Sequence, residues 1–572
     1  MTLPISTDPQ RWGGVHKVYD KASGGGDIDK SADFVPPYVS TKHEPPTVNN
    51  NGKYKVSGLL IVCRHLVTKY ILNIFYNDKA KVIADEFSGD EIPLRMDPGI
   101  EDVMSTLYRH SPHISLIKND SFGQELADMF AEMGDTPGTV RAAMLFNANH
   151  VMGIKLHVKL GEDGYQKRVV TFYDPNSTGT WVRTAEKILP DSTEPSEISK
   201  LTTKDFLGED RDWEYFGDSN TSALVPVDKA LLDSIKAGTF DSGKSATAKL
   251  AKCDFDQYTI NKVHIFQMMQ FHLHESLADL LPMFESFPMS KKINLLSAEF
   301  GGRSALAELM LFPCEKTLEA YKNLFNLLPS DEQSVLIFNA AQDLIDDRFD
   351  ESASISAERV KNLLTLIPKK RQKKFMSELI ENVIGAALAS NNPKAIDTCC
   401  KLLQSVAEKN GEIILMGVIE NGLQEEDADT MRAFGTLLKS IPEGDARLNL
   451  IKTMTKNGIG KFLNLERSKP EVVAEKVKLL ELVSPGHRMA LCVPKYALHL
   501  SELFKEFNAA PEKNKTAFMS VLVGTFDKLD ASQKFQTLEV FDKLNLSDQF
   551  IEANVSASGM HSGDEDFLHA ST

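Results

Sequence analysis

A short apolar phrase ending in proline recurs through the C-terminal half of the chain at a nearly constant spacing. The copies are MFESFP, LFNLLP, LLTLIP, LLKSIP and LLELVSP, which end at Pro288, Pro329, Pro368, Pro442 and Pro485, with a degenerate copy, LLQSVA, ending at Ala407. Successive copies lie about 35 to 43 residues apart, the period of folds that stack pairs of helices. Proline ends a helix because it lacks an N–H and clashes with the preceding turn. The spacing therefore predicts a helical solenoid of about six ankyrin- or HEAT-like helix pairs, with proline stopping the second helix of each pair.

The rest of the chain differs in composition from this helical part, which we place at residues 255–550. Residues 1–52 are rich in glycine, proline, serine and asparagine without periodicity, which indicates a disordered leader. Residues 53–250 mix helical and strand patterns and predict a separate α+β domain. Residues 555–572 are polar and acidic, which indicates a disordered tail.

Overall composition restricts the possible functions. A chain of 572 residues can bury several cores, and its net charge of −16 argues against a nucleic-acid-binding protein, which would present a basic surface. Six unevenly spaced cysteines indicate free thiols and a reducing compartment. The N-terminus lacks the basic and apolar segments of a Sec signal, and the apolar runs are too short to span a membrane. We therefore expect a protein that works in a cytosol, with no membrane span.

The segment GLLIVCRHLVTKYILNIFY places Cys63 at the start of a helical pattern. After this cysteine, apolar residues recur at helical spacing: Leu66, Tyr70, Ile71, Ile74 and Phe75. A helix that begins near a cysteine directs its unpaired N–H groups and positive dipole end at the sulfur, which lowers the pKa of the thiol. This placement makes Cys63 a candidate nucleophile.

Two strand patterns flank the turn sequence GEDG at residues 161–164. Residues 147–160 alternate in the manner of a half-buried strand, and residues 165–174 are typical of a strand buried on both faces. Together they predict a β-hairpin. Its strands bring His150 and Asp174 side by side at the open end, within a slip of one residue or a bulge.

A cysteine at a helix start, a histidine on one strand and an aspartate on the next is the layout of papain-like cysteine proteases. In this interpretation Cys63 is the nucleophile and His150 takes its proton. Asp174 accepts a hydrogen bond from the second imidazole nitrogen and fixes the ring's tautomer and orientation. Such chemistry needs no metal ion or cofactor.

Each candidate also has a less specific interpretation. Cys63 fits a buried core position, since free cysteine is commonly buried, and Asp174 fits a turn in the string Asp-Pro-Asn. His65 competes as the base, although a residue two positions along a helix points away from Cys63. His157 lies at an odd separation from His150 and should face the other side of the strand.

Other patterns are weaker. Papain-type enzymes usually carry an upstream glutamine as oxyanion donor, but the amides near Cys63 are Asn49, Asn50 and Asn51, so this donor stays unassigned. The HLH string at 272–274 and Cys253 do not form a zinc-ligand pattern. KKRQKK, at 369–374, fits a solvated helix junction better than a nuclear localisation signal.

Three strings, LIVCRHL, NHVMGIKL and YDPNST, resemble motifs of the EspL-like, or Shigella enterotoxin two (ShET2), family of type III secreted effectors. AEFGGRSALAELM resembles a repeat phrase of the same proteins, and the likeness extends from about residue 55 to the C-terminus. The resemblance implies a toxin secreted through a type III system that acts in the host cell cytoplasm. Its activity would be that of a cysteine protease cutting host proteins with RHIM motifs, which silences necroptotic and inflammatory signalling.

By the same resemblance Cys63 is the nucleophile, His150 the base and Asp174 the orienting acid, and the leader is a secretion signal and chaperone-binding segment. We therefore interpret residues 53–250 as a papain-like catalytic domain, joined to a solenoid whose concave face recognises the host protein. Two alternatives stay open. A Cys-His-Asp site also supports deamidation or acyl transfer, because the acyl-enzyme step is shared. The chain could instead be a non-enzymatic solenoid adaptor.

Overall fold

The computed structural model describes residues 31–39, 63–76, 99–240, 249–346, 353–492 and 505–531, with short gaps inside these ranges, and a few isolated positions. The chain divides into two compact units, Met1–Ala340 and Ala341–Thr572. The first contains a mixed sheet, and the second is helical throughout its described residues, which confirms the expected change from α+β to helical structure. Within the described part, no helix is both long and apolar enough to cross a membrane.

An eight-stranded sheet forms the centre of the first unit, in the order β1-β6-β5-β4-β3-β7-β2-β8. Neighbouring strands are antiparallel except for β2 and β8, which are parallel. The strands are Phe34–Val39 (β1), His113–Lys118 (β2), Val140–Phe146 (β3), Val151–Leu160 (β4), Gln166–Tyr173 (β5), Trp181–Lys187 (β6), Thr221–Val227 (β7) and Lys249–Cys253 (β8). A separate two-stranded ribbon pairs Glu299–Phe300 (β9) with Arg303–Ser304 (β10).

The described helices of the first unit lie before, between and after these strands. They are Cys63–Tyr76 (α1), Ile100–Arg109 (α2), Phe122–Met133 (α3), Thr203–Leu207 (α4), Glu209–Phe216 (α5), Lys229–Lys236 (α6), Lys262–Gln270 (α7), His274–Asp279 (α8), Leu281–Ser286 (α9), Met289–Leu296 (α10), Ala305–Leu311 (α11) and Glu315–Phe325 (α12). Ser330–Asp346 (α13) crosses the boundary between the units.

Helices cover both faces of the central sheet. On one face, Ile154 and Leu156 of β4 share a core with Phe122 of α3. On the other face, Gly153 lies against Tyr70 of α1. Alternate residues of β4 therefore face α3 and α1, as the period of two in a strand requires. This arrangement brings the N-terminus of α1 to the end of the sheet where β4 begins.

The predicted hairpin forms, and its register differs by one residue from a pairing centred on Glu162 and Asp163. The β4–β5 ladder runs from Gly153 opposite Tyr173 to Leu160 opposite Gln166. In the turn, the Gly161 N–H donates to the Tyr165 carbonyl at 2.7 Å. Gly164 has a φ of +81°, a conformation that glycine adopts without steric cost. His150 and Asp174 consequently lie just beyond the paired residues, at the ends of their strands.

One strand lies inside the segment that we expected to be a disordered leader. Phe34–Val39 pairs with β6 at the edge of the sheet and buries Val35. The register shifts between Val35 and Tyr38, where the sequence has two consecutive prolines. Proline is tolerated at an edge strand and at a bulge, because no ladder N–H is needed there. The two prolines are therefore the reason why the sequence did not predict a strand in this segment.

The second unit consists of helix pairs. Its described helices are Ala353–Leu363 (α14), Lys369–Ser390 (α15), Pro393–Gln404 (α16), Glu408–Glu420 (α17), Ala428–Ser440 (α18), Asp445–Met454 (α19), Ile459–Leu463 (α20), Pro470–Leu480 (α21), Pro485–Cys492 (α22) and Glu512–Phe526 (α23). One layer stacks α14, α16, α18, α21 and α23 in succession, and a second stacks α15, α17 and α19. Each helix therefore packs mainly on its neighbours along the stack, as in repeat proteins.

Four of the five repeated prolines, Pro288, Pro329, Pro368 and Pro485, stand at the start of a helix, whereas Pro442 lies three residues before α19. Pro329 and Pro368 directly precede α13 and α15, and Pro485 is the first residue of α22. Proline is favoured there because the first N–H groups of a helix have no intrahelical partner. The phrase therefore marks the turn between two helices, which corrects the expectation that proline stops the second helix.

Polar side chains close these turns in the same way. The Gln333 amide donates to the carbonyls of Phe325 and Leu328, eight and five residues earlier, at 3.2 and 3.0 Å. Gln372 repeats the contacts with Leu364 and Ile367 at 2.9 and 2.8 Å. The final carbonyls of a helix need such donors.

The predicted domain limits of 53–250 and 255–550 stay predictions. The helices up to residue 340 belong to the first compact unit.

Candidate active site

Cys63 is the first residue of α1 and is partly exposed, whereas His65, Leu66 and Val67 behind it are buried. The N–H groups of the first turn have no intrahelical acceptors, and the helix dipole adds a partial positive charge there. Further along, the Tyr70 ring stacks on Tyr173 of β5 with centroids 4.6 Å apart. This contact fixes α1 on the sheet and thereby sets the position of Cys63.

His150 is the last residue of the connection between β3 and β4. The ladder ends at Phe146 opposite Val151, and the Asn147 N–H donates to the His150 carbonyl at 3.0 Å. The Asn147 side-chain oxygen accepts a short hydrogen bond from the His150 N–H. Because the Asn147 side chain takes that N–H, the strand begins at Val151 rather than at the expected residue 147.

Asp174 follows the last residue of β5 and contacts His150 directly. Its Oδ1 atom lies 2.8 Å from Nε2 of His150 and also accepts the Asn176 N–H at 3.0 Å. The second contact belongs to a short 3₁₀ turn, Pro175–Ser177. Asp174 is therefore both a turn residue, as the Asp-Pro-Asn string indicated, and a partner of the imidazole. With Nε2 engaged, Nδ1 is the ring nitrogen that remains for the Cys63 thiol, whose pKa is lowered by His150.

The other carboxylate oxygen of Asp174 is held by helix α5. Arg211 Nη1 and the Tyr215 hydroxyl each donate to Oδ2 at 3.0 Å. The Tyr215 ring also lies against His150, with centroids 4.7 Å apart, and its hydroxyl accepts from the Asn176 amide at 2.9 Å. Arg211 and Tyr215 were not among the predicted site residues, because nothing local in EDRDWEYF identifies which side chains reach a distant hairpin.

The pKa of each group reflects these contacts. Burial raises the pKa of the Cys63 thiol, but the hydrogen bond and charge of His150, the Val151 N–H and the Arg64 charge together bring it below the ordinary value. Burial lowers the pKa of His150, but hydrogen bonds to Asp174 and Cys63 and their negative charges raise it overall. Both directions favour a thiolate beside an imidazolium.

The pKa of Asp174 is also shifted. Burial raises it, whereas the hydrogen bond and charge of His150, the Arg211 guanidinium and the Asn176 N–H hold it below its usual range. A buried carboxylate with these partners stays ionised at neutral pH. The negative charge needed to stabilise an imidazolium is therefore always present beside His150.

The two competing histidines lie elsewhere. His65 is buried in α1 behind Cys63, and His157 pairs with Val140 and Val169 in the middle of the ladder. Seven residues of strand separate His157 from His150, a distance of about 20 Å. Burial and the charges of nearby cations, Lys155 foremost, lower the pKa of His157 to about 3, so this ring stays neutral.

The arrangement joins a nucleophile, a proton carrier and an orienting carboxylate in one chain of contacts. A thiolate stabilised in this way can attack an electrophilic carbon, and the adjacent imidazolium can return a proton to a leaving group. Among the described residues no cluster of three metal-ligating side chains occurs. Asn49, Asn50 and Asn51, the amides named for an oxyanion donor, lie outside the described residues.

Comparison with known proteins gives one family and two relatives. Residues 20–300 match the family model described as ShET2 enterotoxin, N-terminal region. Ankyrin repeat protein A of Escherichia coli (strain K12) is 28% identical over 172 residues, which is 29% of this chain and 23% of that protein. Effector protease OspD3 of Shigella flexneri is 30% identical over 174 residues, which is 30% of this chain and 29% of that protein. The matched segments thus span about a quarter of each relative's length.

Proposed function

Because residues 20–300 of this chain match the family model of the ShET2 enterotoxin N-terminal region, we propose that the protein is a secreted effector that acts as a cysteine protease in host cells. The partial likeness to effector protease OspD3 supports hydrolysis as the activity. One observation carries the proposal: His150 Nε2 lies 2.8 Å from Asp174 Oδ1, on the imidazole whose hydrogen bonding and charge lower the pKa of the Cys63 thiol.

In the proposed reaction the Cys63 thiolate attacks the carbonyl carbon of the scissile peptide and forms a C–S bond. The His150 imidazolium donates its Nδ1 proton to the departing amine as the C–N bond breaks, which leaves an acyl-enzyme and a neutral imidazole. That imidazole then takes a proton from water, whose oxygen attacks the acyl carbon. The C–S bond breaks, and the thiolate and imidazolium are restored.

Asp174 does not transfer a proton in this scheme. Its Oδ1 atom holds Nε2–H of His150 and so directs Nδ1 at the sulfur, and its charge stabilises the imidazolium. The two ring nitrogens exchange partners relative to a Ser-His-Asp triad, in which Nε2 contacts the nucleophile and Nδ1 contacts the aspartate. The start of α1 adds positive potential at the thiolate.

We also propose a papain-like fold for the catalytic region and an ankyrin- or HEAT-like class for the helical pairs. A cysteine at a helix start, packed against a sheet that bears the histidine and aspartate, supports the first. The two stacked layers of helices and the partial likeness to ankyrin repeat protein A support the second. The solenoid would bind the substrate, for which we propose RHIM-containing death-signalling proteins of the host.

Co-expression with RHIM-containing host proteins tests the proposal. Wild type should give partner fragments on a blot, and Cys63→Ala should give none. Cys314→Ala is the matched control, because Cys314 is also partly exposed but lies just before α12, outside the central sheet, and it should cleave like wild type. Fragments in the Cys63→Ala lane would refute the assignment of the nucleophile. A partner of full length whose intact mass changes with wild type only would indicate the deamidase or acyltransferase instead.

A further inference from the structure

Tyr215 contacts both members of the imidazole–carboxylate pair. Its hydroxyl donates to Oδ2 of Asp174 at 3.0 Å, and its ring lies against the His150 ring at a centroid distance of 4.7 Å. The hydroxyl also accepts from the Asn176 amide at 2.9 Å, so its oxygen is fixed from a second side. One side chain therefore restricts both the rotation of the carboxylate and the tilt of the imidazole.

The backbone of Tyr215 completes a closed set of contacts. Its carbonyl accepts the Asn147 amide at 2.7 Å, and the same Asn147 side chain accepts the His150 N–H. The main chain of His150 is thus tied to helix α5 through Asn147, while its side chain is tied to the same helix through Asp174. Any displacement of α5 would move both attachments of His150 together.

From these contacts we infer that Tyr215 is a positioning residue, which keeps His150 and Asp174 in the orientation that presents Nδ1 to Cys63. This inference rests on the proposed function, in which the thiolate–imidazolium pair carries the reaction. Burial and the Asp174 charge raise the pKa of Tyr215, so its hydroxyl keeps its proton and remains a donor at physiological pH. Sequence alone does not suggest this role, because Tyr215 lies 41 residues beyond Asp174.

The Tyr215→Phe variant removes the hydroxyl and keeps the ring. A hydrogen bond to a charged group is typically worth a tenfold change or more in a rate that depends on it, so kcat should fall about tenfold with KM nearly unchanged. The His150 ring, less firmly held, should stabilise the thiolate less well. The pH at which Cys63 becomes reactive toward iodoacetamide should therefore rise. Tyr215→Leu, which also removes the ring, should show a larger effect in the same direction.

Alkylation of Cys63 as a function of pH, followed by peptide mass spectrometry on the full chain, measures this effect without a substrate. Tyr258→Phe is the matched control, because Tyr258 is 82% exposed, and its profile should equal that of wild type. A Tyr215→Phe protein that melts at a lower temperature but keeps the wild-type alkylation profile and kcat would overturn the inference. Such a result would reduce Tyr215 to a structural residue.

Misfolding of the variant and failure of the proposed protease activity can each be distinguished from failure of the inference. If Tyr215→Phe does not fold, Asn176→Ala decides the matter, because it removes the amide donor to the Tyr215 hydroxyl at a more exposed position. An unchanged alkylation profile in that variant would refute the inference. If the wild type has an acid-shifted profile that Tyr215→Phe reverses, but cleaves no partner, the positioning role stands and the proposed protease activity fails.

Discussion

Gly153 of β4 and Tyr70 of α1 are in such close contact that a β-carbon on Gly153 would lie 2.6 Å from Cδ1 of Tyr70. The same Tyr70 ring stacks on Tyr173, which is paired with Gly153 across the β4–β5 ladder. Helix α1 therefore sits on the sheet at a distance that only glycine permits. Because Cys63 begins this helix and His150 precedes β4, the contact also sets the separation of thiol and imidazole.

Gly153→Ala should consequently reduce activity more than stability. Overpacking a core position costs about 1–3 kcal/mol, and a displacement of about 1 Å at a reacting group can cost 100-fold in rate. We expect a modest fall in the free energy of unfolding, measured in urea, and a loss of about 100-fold in kcat/KM. Gly385→Ala is the control, since a β-carbon there meets nothing within 4 Å. It should leave activity unchanged and slightly stabilise α15. Equal loss of activity in both variants would contradict this account.

Removing His150 should reverse the direction of the Cys63 pKa shift and so change the reactivity of this thiol. In wild type, the interactions with His150 lower the pKa of Cys63 despite burial. In His150→Ala burial acts without that compensation, so the pKa of Cys63 should rise above the ordinary cysteine value. Iodoacetamide alkylation should begin at a lower pH in wild type than for an ordinary cysteine, and in the variant it should begin at a higher pH than for an ordinary cysteine. His157→Ala, the control within β4, should behave like wild type.

Arg211→Gln should shift the acid limit of stability upward. The folded-state pKa of Asp174 is depressed, in part by Arg211, so its contribution to stability is present above the unfolded pKa and is lost as pH falls through the folded pKa. Without the guanidinium the folded pKa lies closer to the unfolded pKa, so the contribution of Asp174 at neutral pH is smaller and its loss is complete at a higher pH. At pH 7 we expect about 2 kcal/mol less free energy of unfolding, the range for a hydrogen bond to a charged group.

Urea unfolding between pH 7 and pH 3 measures this dependence. Arg168→Gln is the matched control, because it breaks an Arg–Asp pair with Asp135 that is more exposed, with side-chain exposures of 23% and 40%. That variant should lose less than about 1 kcal/mol. Parallel pH curves for wild type and Arg211→Gln would show that Arg211 does not depress the pKa of Asp174.

Arg488 in the second unit should be required for stability of the helical stack. This buried side chain donates to the carbonyls of Leu480, Glu481 and Val483, at 3.0, 2.9 and 3.2 Å, and to Thr525 Oγ1 at 3.1 Å. Arg488→Ala would leave these acceptors without their donor and should cost about 3 kcal/mol or more. Arg488→Lys should not restore stability, because an ammonium lacks the planar fork. Thermal melting with unaltered Cys63 alkylation checks the effect, and full rescue by lysine would contradict it.

Several parts of this protein follow from local pattern. The alternation in residues 151–160, the GEDG turn and the strand after it were enough to pair His150 with Asp174 near the open end of a hairpin. The apolar spacing after Cys63 identified α1, and the proline-terminated phrases located the helix pairs. The catalytic roles of Cys63, His150 and Asp174 stay predictions.

Other parts depend on contacts between distant segments. The attachment of Arg211 and Tyr215 to Asp174 requires α5 to pack over the end of the hairpin. The strand Phe34–Val39 is stabilised by an edge that β6 provides, against the composition of its own segment. Neither relationship leaves a periodic signal in the chain.

The sequence by itself determined the helical pairs, the hairpin and the cysteine at a helix start, because periodicity, turn residues and helix ends act over a few neighbouring residues. Tertiary structure alone decided how deeply the site is buried, which ring nitrogen meets Asp174 and which side chains hold that carboxylate. It also decided the sign of the Cys63 pKa shift. That sign results from a balance between burial and the His150 charge, and both depend on the packing of α1 and α5 around the sheet.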